Sequence, residues 1–376
     1  MLFKRSVLFF LTGLVAWACS RNENPNPGQT PTPPTQLVQG FRTRTVVGNL
    51  DVPWEITWGP DNQIWTTERR GIVSRIDPET GDKKIALTLT DCHQTGESGL
   101  LGMVLHPDFG QNPFVYLVYT YLKTGAITEK LVRFRYDGNA LNQPTILLDN
   151  LAGNTFHDGS RLLILPDKTL LMSTGDAGNT SLAQNRASLN GKFLRLNLDG
   201  SIPADNPFPG SYIWSLGHRN AQGLVLHPNG LVYSSEHGPD TDDEINIIRR
   251  GGNYGWPTVR GPIDAANEQT FAQQNNVTGS ILHWSPTIAP SDLVWYSSNR
   301  IPAFRNKLLM TVLKNQMVVA VTLSTDGLSV TGQETFFKDQ FGRLRDICVA
   351  PDGRIFLAGN SGSSGGHALI EVSGQE

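Results

Sequence analysis

Cysteine is scarce in this chain: three residues among 376, Cys19, Cys92 and Cys348. With no C-x-x-C pair, neither a zinc ribbon nor a thioredoxin-like motif is present. Charge is thin as well. Charged residues make up 17%, and a formal net charge of −3 leaves no basic footprint for nucleic acid. No helical periodicity persists over three turns, so no helical architecture competes. H-E-x-x-H and P-loop motifs are missing. What the chain holds in quantity is Gly (38) and Pro (23). That balance favours many short strands joined by tight turns, in a chain long enough to bury a sizeable core.

The first residues read as an export signal, residues 1–18. Lys4 and Arg5 make the charged start, residues 7–15 the apolar stretch, and Ala16-Trp17-Ala18 a small-x-small cleavage site. The apolar stretch is too short to span a bilayer as a mature helix. Cys19 follows the cleavage point directly, as the lipidated cysteine does in bacterial lipoproteins. Trp17 departs from the usual small or aliphatic residue. An exported protein is expected, periplasmic or held at the outer membrane through Cys19. Residues 21–36 hold five prolines among Asn, Thr, Gln and Gly. Such a composition buries no apolar surface, so 19–38 is read as a tether. Cys92 and Cys348 then remain, and two separately buried thiols are expected.

Past the tether, one hairpin signature recurs: GPDNQIW at Gly59, LHPDFGQNPFVY at Leu105, LPDKTLLMS at Leu165, LHPNGLVYSS at Leu226 and APDGRIFLA at Ala350. Each is a turn of Pro with Asp or Asn, followed by a β-rich run. The prolines at 60, 107, 166 and 228 are spaced by 47, 59 and 62 residues. The gap of 123 before Pro351 has room for two units, and PAFRNKLLMTVL at Pro302 fills it as a diverged copy. Units of about 55 short-strand residues predict a six-bladed β-propeller with four-stranded antiparallel blades over 39–376. The blades bury their aliphatic faces against each other, and loops at one end of the channel are free to carry chemistry.

The densest polar stretch runs over 217–257: GHRNAQG, then SSEHGPDTDDEINII, then RRGGNYGWP. A packed core needs no such density; loops that hold a metal or an anionic ligand do. His157 lies in NTFHDGSRLLILPD, just before a hairpin, and Asp176 in MSTGDAGN at the far end of the same hairpin. A neutral imidazole there can take a proton from a hydroxyl. A carboxylate within reach can orient it. Taken singly, a His on a β protein is usually a satisfied surface residue, and an Asp beside Gly is a common turn. Arg343 and Arg345 alternate in GRLRDICVAPDG, so both are expected to point one way from a strand.

Together these runs resemble the soluble, calcium- and pyrroloquinoline-quinone (PQQ)-dependent sugar dehydrogenases of the glucose/sorbosone dehydrogenase type, over about residues 50–358. The shorter, broad-specificity aldose dehydrogenases are the nearer analogue. The resemblance implies that His157 is the catalytic base, with Asp176 and Arg219 as its catalytic companions. It implies that Arg219, Asn220, Thr287 (in SPTIAPS), Lys314 (in TVLKNQ), Arg343 and Arg345 bind PQQ, whose three carboxylates call for cations. Calcium would take the main-chain carbonyls of Gly238 and Pro239. The run DTDDE is no EF-hand, lacking Gly at the sixth place and Glu at the twelfth. Asp243 and Glu244 match a second calcium site of the glucose enzymes. That site also draws on a loop that is much shorter here, between 260 and 281. The same loop serves the glucose enzyme's dimer, so a monomer is expected. Glu97 and Asp176 would face the sugar. Glu97 stands where the family has Gln, and Phe156 replaces an acidic residue of the glucose enzymes. The implied activity is oxidation of aldose sugars at C1 to lactones, with electrons passed on to an unidentified acceptor. Two rivals remain open: a calcium-dependent propeller hydrolase of lactonase type, and a non-catalytic propeller that binds glycans or a protein. A formal G-x-S-x-G at 362–366 lacks the strand–turn–helix setting of a nucleophile elbow.

Overall fold

The computed structural model describes residues 36–360 and 367–374. The export signal, Cys19, the tether up to residue 35 and the G-x-S-x-G run lie outside them. The described fold belongs to the compact unit Thr32–Glu376.

Each hairpin signature proves to be the turn between the first and second strands of a blade. Pro60 lies between strands Pro53–Trp58 and Ile64–Glu68, and Pro166 between Gly159–Ile164 and Thr169–Thr174. Pro228 lies between Ala221–Leu226 and Val232–Glu236, and Pro351 between Leu344–Val349 and Ile355–Gly359. Two residues after these prolines the chain turns left-handed, with φ of 56° at Asn62, 61° at Lys168, 88° at Gly230 and 86° at Gly353. That conformation is cheap for Gly and Asn, which explains the composition of the repeat.

Five of the six sheets have four antiparallel strands in consecutive order: blade 1 (53–88), blade 2 (100–152), blade 3 (159–216), blade 4 (221–284) and blade 5 (290–336). Blade 6 takes three strands from 344–373 and closes with Phe41–Val47, which pairs with Leu369–Ser373 in the register Thr43↔Val372 and Thr45↔Ile370. Gln36–Val38, at the end of the expected tether, adds a fifth strand to that blade. The first strands of the six blades contact one another in a closed ring around the channel. The architecture is a six-bladed β-propeller.

The core is six apolar seams, one per blade boundary. Trp65, Leu117 and Val132 fill the seam between blades 1 and 2, and Ile56, Ile64 and Phe356 the seam between blades 6 and 1. A strand covered on both faces reads as a continuous buried run, as in Thr169–Thr174, which is buried throughout. Each fully buried aliphatic or aromatic side chain contributes roughly 1.5–3 kcal/mol. Cys92 and Cys348 are separate free thiols. The single α-helix of the described residues, Ala266–Asn275, sits in the connection between the third and fourth strands of blade 4. No helix among the described residues is long and apolar enough to cross a membrane.

One irregularity recurs in all six blades. The pairing of the first and second strands shifts near the start of the first strand: at Pro53/Glu55, Leu100/Met103, Gly159/Leu162, Ala221/Gly223, Pro290/Leu293 and Leu344/Asp346. Such bulges re-aim side chains and break two-residue alternation. All six lie at the end of the channel opposite the Pro turns. There the loops entering first strands and leaving second strands come together, and these loops carry His157, Asp176, Arg219, Gly238, Thr287, Lys314 and Arg343.

Candidate active site

His157 occupies the loop just before the first strand of blade 3 and has a left-handed φ of 64°. Asp176 leaves the second strand of the same hairpin. The two strand ends meet closely because Gly175 has no side chain: a Cβ there would fall 1.7 Å from the His157 carbonyl oxygen. The imidazole Nδ1 lies 2.8 Å from Asp176 Oδ1. Asp176 is fully buried. Burial alone would raise its pKa, but the His157 ring, the Gly178 N–H and the Trp256 indole hold it below the usual carboxylate value. The anion therefore accepts Nδ1–H, and Nε2 is left as the basic nitrogen. Trp256 Nε1 donates to the second carboxylate oxygen at 2.9 Å, fixing the Asp176 plane.

Arg219 and Asn220 follow from the entry loop of blade 4. Both main-chain N–H groups donate to Glu236, which also takes the His218 ring. Arg219 lies over the Trp256 ring at 5.4 Å and donates to the His237 carbonyl. Gly238 and Pro239 line a cleft with Arg219, Trp256 and Arg260. Asn220 Oδ1 accepts from Gly159 N–H and from Gln222, whose Oε1 accepts from Arg345 at 2.7 Å. Lys314 Nζ meets Thr287 Oγ1 at 2.9 Å on the blade 5 side of the mouth.

The two blade 6 arginines do not share a strand face. Strand Leu344–Val349 begins after Arg343, and the register shift at Leu344/Asp346 removes the alternation. Arg343 is exposed beside the mouth, whereas Arg345 is buried. Burial pulls the Arg345 pKa down to about 9, with Glu97 opposing the fall and Arg161, Arg343 and Arg69 adding to it. Its Nε has no hydrogen-bond partner, and neither has the buried Nε of Arg219. Buried guanidinium donors left without a partner are costly unless an acceptor meets them, and Arg345 also sits among like charges. This mouth suits a polyanionic ligand.

Glu97 is exposed, and its Oε2 accepts the His157 N–H at 3.3 Å. Arg69, which the sequence reading did not single out, clamps the loop that carries it. Its guanidinium donates to the carbonyls of Gly96 and Ser98. Trp256, Gln222 and Glu236 were missed too. Trp256 stood in the quoted NYGWP run, but only the fold shows it reaching Asp176 across 80 residues.

Asp243 and Glu244 accept hydrogen bonds from the surrounding loops, and Glu244 lines the cleft with Gly238 and Pro239. Asp243 accepts the N–H groups of Gly238, Ile288 and Ala289 at 2.8, 2.6 and 2.7 Å. Glu244 accepts Gly261 N–H and the Asn246 amide, and burial beside Glu236 raises its pKa to about 8. Both carboxylates brace loops. Among the described residues no group of three or more His, Cys, Asp and Glu side chains is set to hold a metal. Calcium at this mouth would rely on carbonyls such as those of Gly238 and Pro239.

A six-bladed propeller with a carboxylate-held histidine and an arginine-rich mouth defines a class. Residues 50–369 match the glucose/sorbosone dehydrogenase family. The quinoprotein glucose dehydrogenase B of Acinetobacter calcoaceticus is 33% identical, with 84% of each chain covered. The aldose sugar dehydrogenase YliI of Escherichia coli is 30% identical over 86% of this chain and 90% of its own. Among solved structures, the PQQ-bound aldose sugar dehydrogenase of Streptomyces coelicolor superposes with a TM-score of 0.78 at 30% identity, covering 91% of this chain and 99% of that one. The chain belongs to the glucose/sorbosone dehydrogenase family.

Proposed function

We propose that this protein is an exported quinoprotein oxidoreductase that oxidises the C1 hydroxyl of aldose sugars to lactones. When bound, calcium-held PQQ supplies what the side chains lack, an acceptor for the hydride from C1. Arg219, Asn220, Thr287, Lys314, Arg343 and Arg345 would hold it, with the carbonyls of Gly238 and Pro239 facing the calcium. The unpartnered Nε atoms of Arg219 and Arg345 carry this reading, because a tricarboxylate needs cations left free by the protein.

His157 Nε2 takes the hydroxyl proton. Asp176 holds the ring by Nδ1 and stabilises the imidazolium that results. Trp256 keeps Asp176 in that plane. Arg219 is placed to stabilise negative charge that develops at the mouth. Glu97 accepts hydrogen bonds from sugar hydroxyls but, when ionised, donates none. Anchoring through Cys19 and a monomeric state are part of the proposal.

The test is reconstitution: PQQ and calcium are added to purified protein, and dye reduction is followed with a panel of aldoses. Aldose-dependent reduction that needs both additions is expected. Lactone hydrolysis without dye reduction, or neither activity, would overturn the reading.

A further inference from the structure

Phe156 is one of five large hydrophobic residues exposed among the described residues, with 41% of its surface open. It is the one next to the catalytic histidine. Its ring stands edge-on to the His157 ring, with centroids 4.8 Å apart and planes at 89°. On another side it packs over Gly178: a Cβ added there would lie 2.8 Å from Phe156 Cε2 and Cζ. The segment that presents the ring is pinned. Asn154 donates from its main chain to Asp158 and from its side chain to the Ala177 carbonyl. Glu97 N–H donates to the Thr155 carbonyl, and His157 N–H to Glu97. An aromatic ring on a segment pinned this way, left open to water beside His157, offers a fixed apolar face to a ligand. The negative face of the ring attracts polarised C–H groups. Glu97, exposed and hydrogen-bonded to the His157 N–H of the same segment, offers acceptor oxygens. A ligand that suits both has a flat face of C–H groups and hydroxyls around its rim.

We infer that Phe156 is the stacking platform for the pyranose ring of the substrate, so that the site selects neutral cyclic aldoses by their C–H face. The inference rests on the sugar reading of the site and not on the quinone. Gly178 is part of the device, since its missing side chain seats the ring. Binding of 1,5-anhydroglucitol, a pyranose without the reacting hydroxyl, is measured by calorimetry on the wild type and on Phe156→Ala, Phe156→Tyr and Gly178→Ala. Sorbitol, an open-chain polyol, serves as the contrast. The platform predicts that Phe156→Ala weakens binding of the cyclic probe by about three- to tenfold, the order of an aromatic contact. Phe156→Tyr should retain affinity, Gly178→Ala should lose it in part, and sorbitol should respond to none of them. With oxidisable aldoses the loss in kcat/KM should be carried by KM. Equal affinity of wild type and Phe156→Ala for the cyclic probe, or no binding to the wild type, overturns the inference. Dye reduction in the same samples reports separately on the proposed oxidation.

Discussion

Two buried arginines face the same tryptophan and do opposite work. Arg161 lies 4.3 Å from the Trp54 ring and Arg345 lies 5.8 Å from it. Both come from first strands that line the channel. Arg161 is surrounded by carboxylates: Glu55 at 2.7 Å, Asp346 at 2.9 Å and Asp292 at 3.4 Å. These charges raise its pKa in spite of burial. Arg345 has no carboxylate in contact, only the Gln222 amide, and its pKa falls. The fold neutralises one cation internally and leaves the other to be met from outside. The first is a plug that ties blades 1, 3, 5 and 6 together; the second is the one we propose meets the ligand. Burial and residue type do not separate the two roles. The neighbours do.

The largest effect should come from removing the plug. Arg161→Met leaves three buried carboxylates without their cation, and breaking such a cluster costs about 3–5 kcal/mol. Thermal unfolding should show a large loss of Tm or failure to fold. The milder Asp346→Asn should still fold and serve as the measurable partner. Arg345→Met, by contrast, should keep or raise the Tm of the protein without ligand. A similar loss for both would erase the distinction between plug and site.

Next in size is the base. His157→Ala should lower turnover by roughly a hundredfold or more, the usual order for general base catalysis, while PQQ still binds. Near-normal turnover at saturating sugar and cofactor would remove His157 from its proposed role.

The plug also predicts a pH dependence. Burial and the neighbouring Asp292 raise the Glu55 pKa from its usual value of 4.5 to about 8, although Arg161 opposes them. Burial raises Asp292 and Asp346 as well. A carboxyl whose folded pKa lies above its unfolded value stabilises the fold at low pH. That contribution is lost as pH rises through the folded pKa. Between about pH 5 and about pH 7, Tm should therefore fall with rising pH, and Asp346→Asn should flatten the slope. Lys192 acts with the opposite sign above about 7, its pKa having been lowered to about 7 by burial. A flat Tm in the wild type across the lower window would argue against raised carboxyls in the plug.

The smallest effect lies at the sugar. Glu97→Gln restores a donor and removes a charge beside His157. It should shift relative kcat/KM among neutral aldoses severalfold, the range of one hydrogen bond, and relieve discrimination against a uronic acid. An identical specificity profile would show that Glu97 does not face the substrate.

The repeat made the propeller legible in advance because each blade reuses one Pro turn, and the left-handed residue two places later favours Gly or Asn. His157 and Asp176 were legible as a pair because a hairpin joins them. The plug was not. Its members lie 106 and 185 residues from Arg161 for Glu55 and Asp346, and no local pattern signals a meeting of first strands. The recurring bulges were equally silent, so strict alternation placed Arg343 and Arg345 on one strand face when only Arg345 lies within the strand. Asp243 and Glu244 looked like cation ligands in the acidic run. The N–H groups of Gly238, Gly261, Ile288 and Ala289 reach them, and sequence alone does not show which donors will arrive.

The most direct test of the account is a calorimetric titration of PQQ into the wild type and Arg345→Met in calcium buffer, repeated with a chelator. The account predicts saturable, calcium-dependent binding to the wild type and affinity at least about tenfold weaker in the variant, the order of one charge-assisted contact. Absence of PQQ binding to the wild type, or equal affinity in the variant, would contradict it.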